Sequence, residues 1–544
     1  MTTTCLSANG LTFGYAGHTP LFHHLNIHLH AQPMALIGRN GVGKSVLLAC
    51  LAGAIQPLHG TVTAHTSLAY LPQREADDVG AGSVTEWLGV AHILDALQRL
   101  EQGDGSPEDV VIVGDQWSLA DDLSVRCQRF GLPTAILQQS MASLSGGQRT
   151  RLALLRLNPA RDTFLLLDEP TNHLDQEGRA WLSLWVREHP GGALVVSHDQ
   201  DFLAGFQHLM ELRDGQLHQY GNGLAGYRAV TESERVSAEA DLAHAQRTIR
   251  QEQLQRQQER ERQDQRASRG KRNAARGGAP KILLGMMKAR SETTRGKSAE
   301  KQEGAIAAER ERANSAKERL EQLDPLSFPF TPAARQFGVL CSLAALRLPY
   351  VEVGSIDAHI RAGERWLVSG ANGSGKSLLL RAMAGVLKEP VEGTVHCTAS
   401  TVLLDQHLSL LDSQQSALQN FQRLNPGWTE SQYRDRLAHL RLRRERALLP
   451  VASLSGGERL KVALAVALMG PRPTELLLLD EPDNHLDLES QHLLTQALQQ
   501  YEGTFLLVTH SRTLAAAVLP THRLELSLKV GKNSRDTTDQ RHNK

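Results

Sequence analysis

The chain has no long hydrophobic run. Apolar stretches such as Phe164 to Leu167 and Leu476 to Leu479 are short and strand-like, far below the about 20 residues that a bilayer-crossing helix needs, so no membrane span is expected. Net charge is also missing, because 59 basic residues balance 59 acidic ones. A molecule without a global field has no overall attraction to nucleic acid or membrane, and any such attraction has to be local. Cysteine is scarce: Cys5, Cys50, Cys127, Cys341 and Cys397 show no paired spacing. That argues against a disulfide framework and a zinc site, and leaves them as small core or surface residues. The opening Met-Thr-Thr-Thr-Cys-Leu-Ser lacks the basic-then-apolar layout of a secretory leader. A cytoplasmic protein is expected.

What the chain does have is an internal repeat. Its 544 residues suggest three or four compact units at roughly 150 residues each. Gly38-Arg39-Asn40-Gly41-Val42-Gly43-Lys44-Ser45 and Gly370-Ala371-Asn372-Gly373-Ser374-Gly375-Lys376-Ser377 both match the P-loop pattern. Each follows an apolar run (Met34 to Ile37, Trp366 to Val368) and precedes a helical one, the strand-loop-helix context that the motif requires. There the glycines turn backbone N–H groups onto phosphates, the lysine neutralises β and γ oxygens, and the serine hydroxyl is a magnesium ligand.

Later elements repeat in the same order. Lys44 to Gln73 spans 29 positions and Lys376 to Gln406 spans 30, while Glu169 to His198 and Glu481 to His510 each span 29. One mismatch is large: 72 positions separate Gln73 from Ser145, against 49 from Gln406 to Ser455. The extra residues are assigned to about 95–120, where Gly103, Gly105 and Pro107 break the helical pattern. Asp168-Glu169 and Asp480-Glu481 each end four apolar residues. Such a run suits a parallel strand covered on both faces and sets its carboxylates at the C-terminal end, where ligands bind in open α/β sheets. The first carboxylate suits magnesium and the second can polarise an attacking water.

With Leu-Ser-Gly-Gly at residues 144–147 and 454–457, Leu-Leu-Asp-Glu-Pro, and the tandem arrangement, the chain resembles ATP-binding cassette ATPases. Glu169-Pro170-Thr171-Asn172-His173-Leu174-Asp175 and the absence of a membrane domain narrow the resemblance to the ABC-F proteins, which act on ribosomes. It covers residues 5–230 and 335–527. The resemblance implies that Lys44, Ser45, Lys376 and Ser377 grip phosphate and Mg2+, and that Gln73 and Gln406 complete the metal sites with Asp168 and Asp480. It further implies that Ser145, Gly146, Gly147 and Gln148 cap the ATP on the second P-loop, while Ser455, Gly456, Gly457 and Glu458 cap that on the first. His198 and His510 match the switch histidine, and Tyr15 is placed to stack on adenine, with Tyr350 the second-half candidate. Two departures stand out: Asp483 where the family pattern has threonine, and His-Ser-Arg-Thr-Leu at 510–514. Because Glu169 and Glu481 are both present, both sites are expected to hydrolyse ATP.

Residues 232–325 form the expected linker, rich in Glu, Arg, Gln, Ala and Lys, a composition favouring long exposed helices. Two runs, about 232–268 and 284–322, predict a helical hairpin with arms about 50 Å long at about 1.5 Å per residue. From Arg247 to Lys297 there are 15 Lys and Arg against 5 Asp and Glu. Arg269, Lys271, Arg272, Arg276 and Lys281 near the turn are candidate RNA contacts, since arginine suits bidentate phosphate binding.

The expected architecture is therefore α/β: two P-loop cassettes in tandem, residues 1–231 and 326–527, joined by the hairpin, with a disordered polar tail at 528–544. The resemblance implies a monomer whose cassettes pair within the chain, with the linker reaching rRNA and tRNA near the peptidyl-transferase region and no membrane subunit. General relief of stalled ribosomes and antibiotic protection use the same parts. A transporter motor or a DNA-associated ATPase remains a competing class, since phosphate contacts to DNA would look alike in sequence.

Overall fold

A computed structural model describes residues 4–15, 17, 19–73, 82–172, 174–274, 304, 307–317, 320, 330, 337–351, 353–398, 400–442, 444–472, 474–484 and 486–527. It divides into two units, residues 1–224 with 326–544, and 225–325.

The first unit holds both repeats. Strands β1 (Thr4–Phe13), β2 (Phe22–His30), β3 (Pro33–Ile37), β4 (His59–Ala64), β5 (Leu68–Leu71), β6 (Phe164–Asp168), β7 (Ala193–Val196), β8 (His208–Arg213) and β9 (Gln216–Gly221) belong to the first half. The second half contributes β10 (Val339–Arg347), β11 (Ile356–Arg361), β12 (Arg365–Gly370), β13 (Glu392–Cys397), β14 (Thr401–Leu404), β15 (Leu476–Asp480), β16 (Thr504–Val508) and β17 (His522–Leu526). The larger sheets run β5-β6-β7-β3-β8-β9 and β14-β15-β16-β12-β17, and each half carries a small antiparallel sheet, β2-β1-β4 and β11-β10-β13. β5, β6, β7, β3 and β8 pair in parallel, as do all five strands of the second large sheet. Every residue of β6, β7, β15 and β16 is buried, as expected of strands covered on both faces.

The extra segment of the first half is real and local. Helices Val84–Trp87, Ala91–Gln102, Pro107–Val113 and Leu119–Arg129 occupy the stretch where the described residues of the second half hold the helices Ala417–Leu424 and Glu430–His439. Pro107 starts a helix here rather than merely breaking one. It lacks an N–H at a position where none is needed, and Ser106 and Asp109 close a capping box around it. Ile93, Ala96, Leu97, Val113, Leu119 and Leu123 form a small satellite core beneath these helices.

The cysteine expectation needs correction. Cys5, Cys50 and Cys127 are buried and free, but Cys341 and Cys397 face each other across β10 and β13 and form a disulfide. Their separation of 56 residues has no signature along the chain, because antiparallel register sets which residues meet, and register is invisible to Cys spacing.

In the second unit, the first linker arm is one unbroken helix, Gly223–Ala274, starting earlier and ending later than the run 232–268. At about 1.5 Å per residue it is about 78 Å long. Residues 307–317 are also helical. Arg269, Lys271 and Arg272 lie on the first helix; the side chains of Lys271 and Arg272, residues Arg276 and Lys281, the hairpin turn and the 528–544 tail lie outside the described residues.

Candidate active sites

Each P-loop is shaped by its first and last glycines. Gly38 and Gly370 have φ of 150° and 154°, and a Cβ on either would lie 2.5–2.6 Å from the carbonyl oxygen of Leu212 or Leu526 on the neighbouring strand. Gly43 and Gly375, at φ 107° and 90°, begin the helices Lys44–Leu51 and Lys376–Met383. Only glycine takes such geometry at no steric cost. The lysines curl back over the loops: Lys44 Nζ donates to the carbonyls of Gly38 (2.8 Å) and Arg39 (2.9 Å), and Lys376 Nζ to those of Gly370 (2.8 Å) and Ala371 (3.1 Å).

Behind each lysine stands the acidic pair. Ser377 Oγ donates to Asp480 Oδ1 at 3.0 Å, and Ser45 bonds Asp168 likewise. Asp168 is 2% exposed, yet its Oδ1 has no hydrogen-bond partner, an arrangement that fits a cation. Gln73 and Gln406 follow β5 and β14, the strands beside β6 and β15. Hydroxyl, carboxylate and amide oxygens, completed by phosphate, are the donor set of magnesium. Among the described residues no group of three or more His, Cys, Asp and Glu offers an alternative metal cage.

Glu169 and Glu481 both sit in the left-handed region, at φ 51° and 47°, a conformation that costs a non-glycine residue on the order of 1–3 kcal/mol and recurs at functional sites. Their carboxylates lie 3.4 Å from His198 Nε2 and 3.3 Å from His510 Nε2, without hydrogen-bond geometry at either Nε2. The two glutamates are not electrostatically alike. Burial pushes Glu169 up from the usual carboxylate range, against the pull of Lys44, and burial pushes His198 down. For Glu481, burial acts in the same upward sense but is outweighed by His510, Lys376 and Asn484, so its carboxyl is held below the usual value.

The Leu-Ser-Gly-Gly phrases start helices Gly146–Leu157 and Gly456–Leu468. Ser145 and Ser455 are their N-caps, and Gln148 and Glu458 close capping boxes by accepting from the serine backbone N–H at 2.9 and 3.0 Å. These two residues, expected among the nucleotide ligands, therefore hold the serine in place. Gly456 faces the first P-loop: a Cβ built on it would lie 3.5 Å from Asn40 Nδ2. Tyr15 and Tyr350 are 58% and 87% exposed; Tyr15 packs edge-on against Phe13 at 5.5 Å.

The sequence reading missed the residues that join the halves. Asp487, which ends the motif Glu-Pro-Asp-Asn-His-Leu-Asp, accepts from the backbone N–H of Asn40 at 3.0 Å, and Glu489 takes Arg39 in a bidentate pair at 2.7 and 2.8 Å. Asp201 accepts from Arg512 N–H and Thr513 Oγ, both at 2.7 Å. Gln491 donates to the His198 carbonyl and accepts from Gln200, both at 3.0 Å. One signal was available. Asp175 and Asp487 stand at the same distance after Glu169 and Glu481. His173 and His485 lie outside the described residues.

A family profile described as ABC transporter matches residues 22–172 and 353–484. The ATP-binding cassette sub-family F member 3 of Mus musculus is 32% identical over 87% of this chain, which spans 65% of that protein's length. The tylosin resistance ATP-binding protein TlrC of Streptomyces fradiae is 30% identical over 96% of this chain and 97% of its own. The chain belongs to the ABC-F family. As an ABC-F protein it is an ATPase whose cassettes bind ATP, and no helix among its described residues is long and apolar enough to cross a membrane. The probable ATP-binding protein YheS of Haemophilus influenzae is 29% identical over 92% of this chain and 76% of that protein. Among solved structures, the RNase-L inhibitor shares the fold at a TM-score of 0.51 and 18% identity, covering 94% of this chain and 86% of that one.

Proposed function

We propose that this ABC-F protein is a ribosome-binding translation factor that runs on two composite ATP sites. ATP and Mg2+ held by Lys44, Ser45, Asp168 and Gln73 are capped by Ser455, Gly456 and Gly457, and those held by Lys376, Ser377, Asp480 and Gln406 by Ser145, Gly146 and Gly147. Glu169 and Glu481 polarise the attacking waters, while His198 and His510 contact the γ-phosphates. ATP draws the cassettes together, the linker engages RNA beside the tRNA, and hydrolysis releases it, a two-state element biased by nucleotide. The observation that carries this reading is the reach of the second cassette into the first P-loop, where Asp487 meets the Asn40 amide and Gly456 lies beside the Asn40 side chain. A signature helix aimed across the chain is useful only if the nucleotide lies between the halves.

The test replaces Glu169 and Glu481 together by Gln, which keeps ATP binding and removes the water-polarising carboxylates. The double variant is expected to sediment with ribosomes in ATP. Its recovery with membranes or DNA instead would overturn the reading. A second reading, protection of ribosomes from a drug, is favoured by the near full-length match to a tylosin resistance protein. Expression in a tylosin-sensitive host raises the inhibitory concentration under this reading and leaves it unchanged otherwise.

A further inference from the structure

The two switch loops are tied down by the same three positions, but with different chemistry. In the first half, Thr171 Oγ1 and Ser197 Oγ share a buried hydrogen bond of 2.9 Å, and Ser197 Oγ accepts from the Asp199 N–H at 3.2 Å. Asp199 in turn caps the short helix Gln200–Leu203. In the second half the corresponding residues are Asp483, Thr509 and Ser511. Thr509 Oγ1 lies 2.9 Å from both carboxylate oxygens of Asp483 and accepts from the Ser511 N–H at 3.0 Å. Ser511 caps the helix Arg512–Ala517, whose first N–H reaches Asp201 of the other cassette. A line of contacts thus runs from Asp483 through the loop bearing His510 to the surface between the cassettes.

We propose that Asp483 is a positioning residue of the second ATP site, holding the Thr509–Ser511 loop and with it His510 by a bond from the Thr509 hydroxyl to its carboxylate. A hydroxyl donating to a carboxylate makes a stronger tie than the hydroxyl pair of the first half. Asp483 is half-buried, and burial pushes its carboxyl up, to about 6, because withdrawing a charge from water is costly unless it is paired. The Thr509 bond opposes that rise most, and the positive charge of Arg179 from the first cassette opposes it further. Arg179 is itself fixed at the interface by its ion pair with Asp199 at 2.6 Å and its bond to the Leu174 carbonyl at 3.0 Å. Its counterpart in the second half is the neutral Gln491, which likewise bonds the matching Leu486 carbonyl, at 3.2 Å. The Arg179 charge thus favours the Asp483 carboxylate, whereas Gln491 reaches across to the carbonyl of His198.

This inference rests on the two-site reading above, and its test separates the two. In a Glu169→Gln chain the remaining turnover comes from the second site. Adding Asp483→Ala lowers its kcat about tenfold, the order expected for one lost charge-assisted bond, while KM for ATP changes less than about twofold. Amide hydrogen exchange in residues 505–514 accelerates in the same variant. Asp483→Thr combined with Thr509→Ser, which rebuilds the Thr171–Ser197 pair, restores both. Unchanged exchange in 505–514 after Asp483→Ala overturns the proposal, as does a normally folded double replacement that restores neither readout. If Glu169→Gln alone abolishes turnover, the two-site reading fails, and the exchange measurement still decides the role of Asp483.

Discussion

At the residue scale, burial outweighs local charge at the first site and is outweighed by it at the second. His198 is buried and kept neutral first by desolvation and then by the nearby Lys44 charge. Its folded pKa therefore lies below the value of about 6.5 that it has when unfolded. The unfolded chain takes up the proton first on acidification, so the stability contributed by neutral His198 is fully present above about pH 6.5 and is lost as pH falls. His198→Gln removes this titration. The difference in Tm between the natural chain and the variant is expected to shift against the natural chain from pH 7 to pH 5. A difference constant over that range would refute the assignment. The placement of these residues was legible in the sequence because it depends on residue type at fixed spacing after a strand. The unlike setting of Glu169 and Glu481 was not. The neighbours that set it include, for Glu481, Asn484 and His510, and their net effect is a balance of burial against charge that no motif records.

At the scale of elements, the small antiparallel sheets carry the main surprise. Cys341 and Cys397 clip β10 to β13 and close a loop spanning 56 residues that contains the whole second P-loop. Cross-linking a loop of that size stabilises by about 2–4 kcal/mol through the unfolded ensemble. Dithiothreitol is expected to lower the urea midpoint of the natural chain, and Cys397→Ser to abolish that sensitivity. A natural chain indifferent to the reductant would show that the bond does not form. Helices were easier to anticipate than this pairing. The linker helix follows from composition alone, but its extension back to Gly223, ahead of the 232–268 run, passes through Gly226, a residue whose low helix propensity hides that first turn from a reading of composition. Glycine and proline around residue 105 were read correctly as an irregular insertion, but Pro107 stood at a helix start because Ser106 caps it.

For the whole molecule, the basic surplus between Arg247 and Lys297 is the feature on which the proposed RNA contact rests. Reversal of Arg269, Lys271, Arg272 and Arg276 to Glu removes sequence-independent phosphate attraction, which falls steeply with salt. Sedimentation with ribosomes is expected to be lost while basal ATP turnover stays near that of the natural chain; retained sedimentation would assign the contact elsewhere. The sequence by itself determined that there are two P-loops, two acidic pairs and two signature phrases on one chain, because these depend on local backbone geometry and on residue types at short range. Only the tertiary structure decided which residues of one half touch the other. Asp487 on the Asn40 amide, Glu489 on Arg39 and Asp201 at the start of Arg512–Ala517 pair positions more than 300 residues apart, and it likewise decided that Asp483 meets Thr509. Such contacts arise from how two finished surfaces pack, and spacing along a chain carries no record of that.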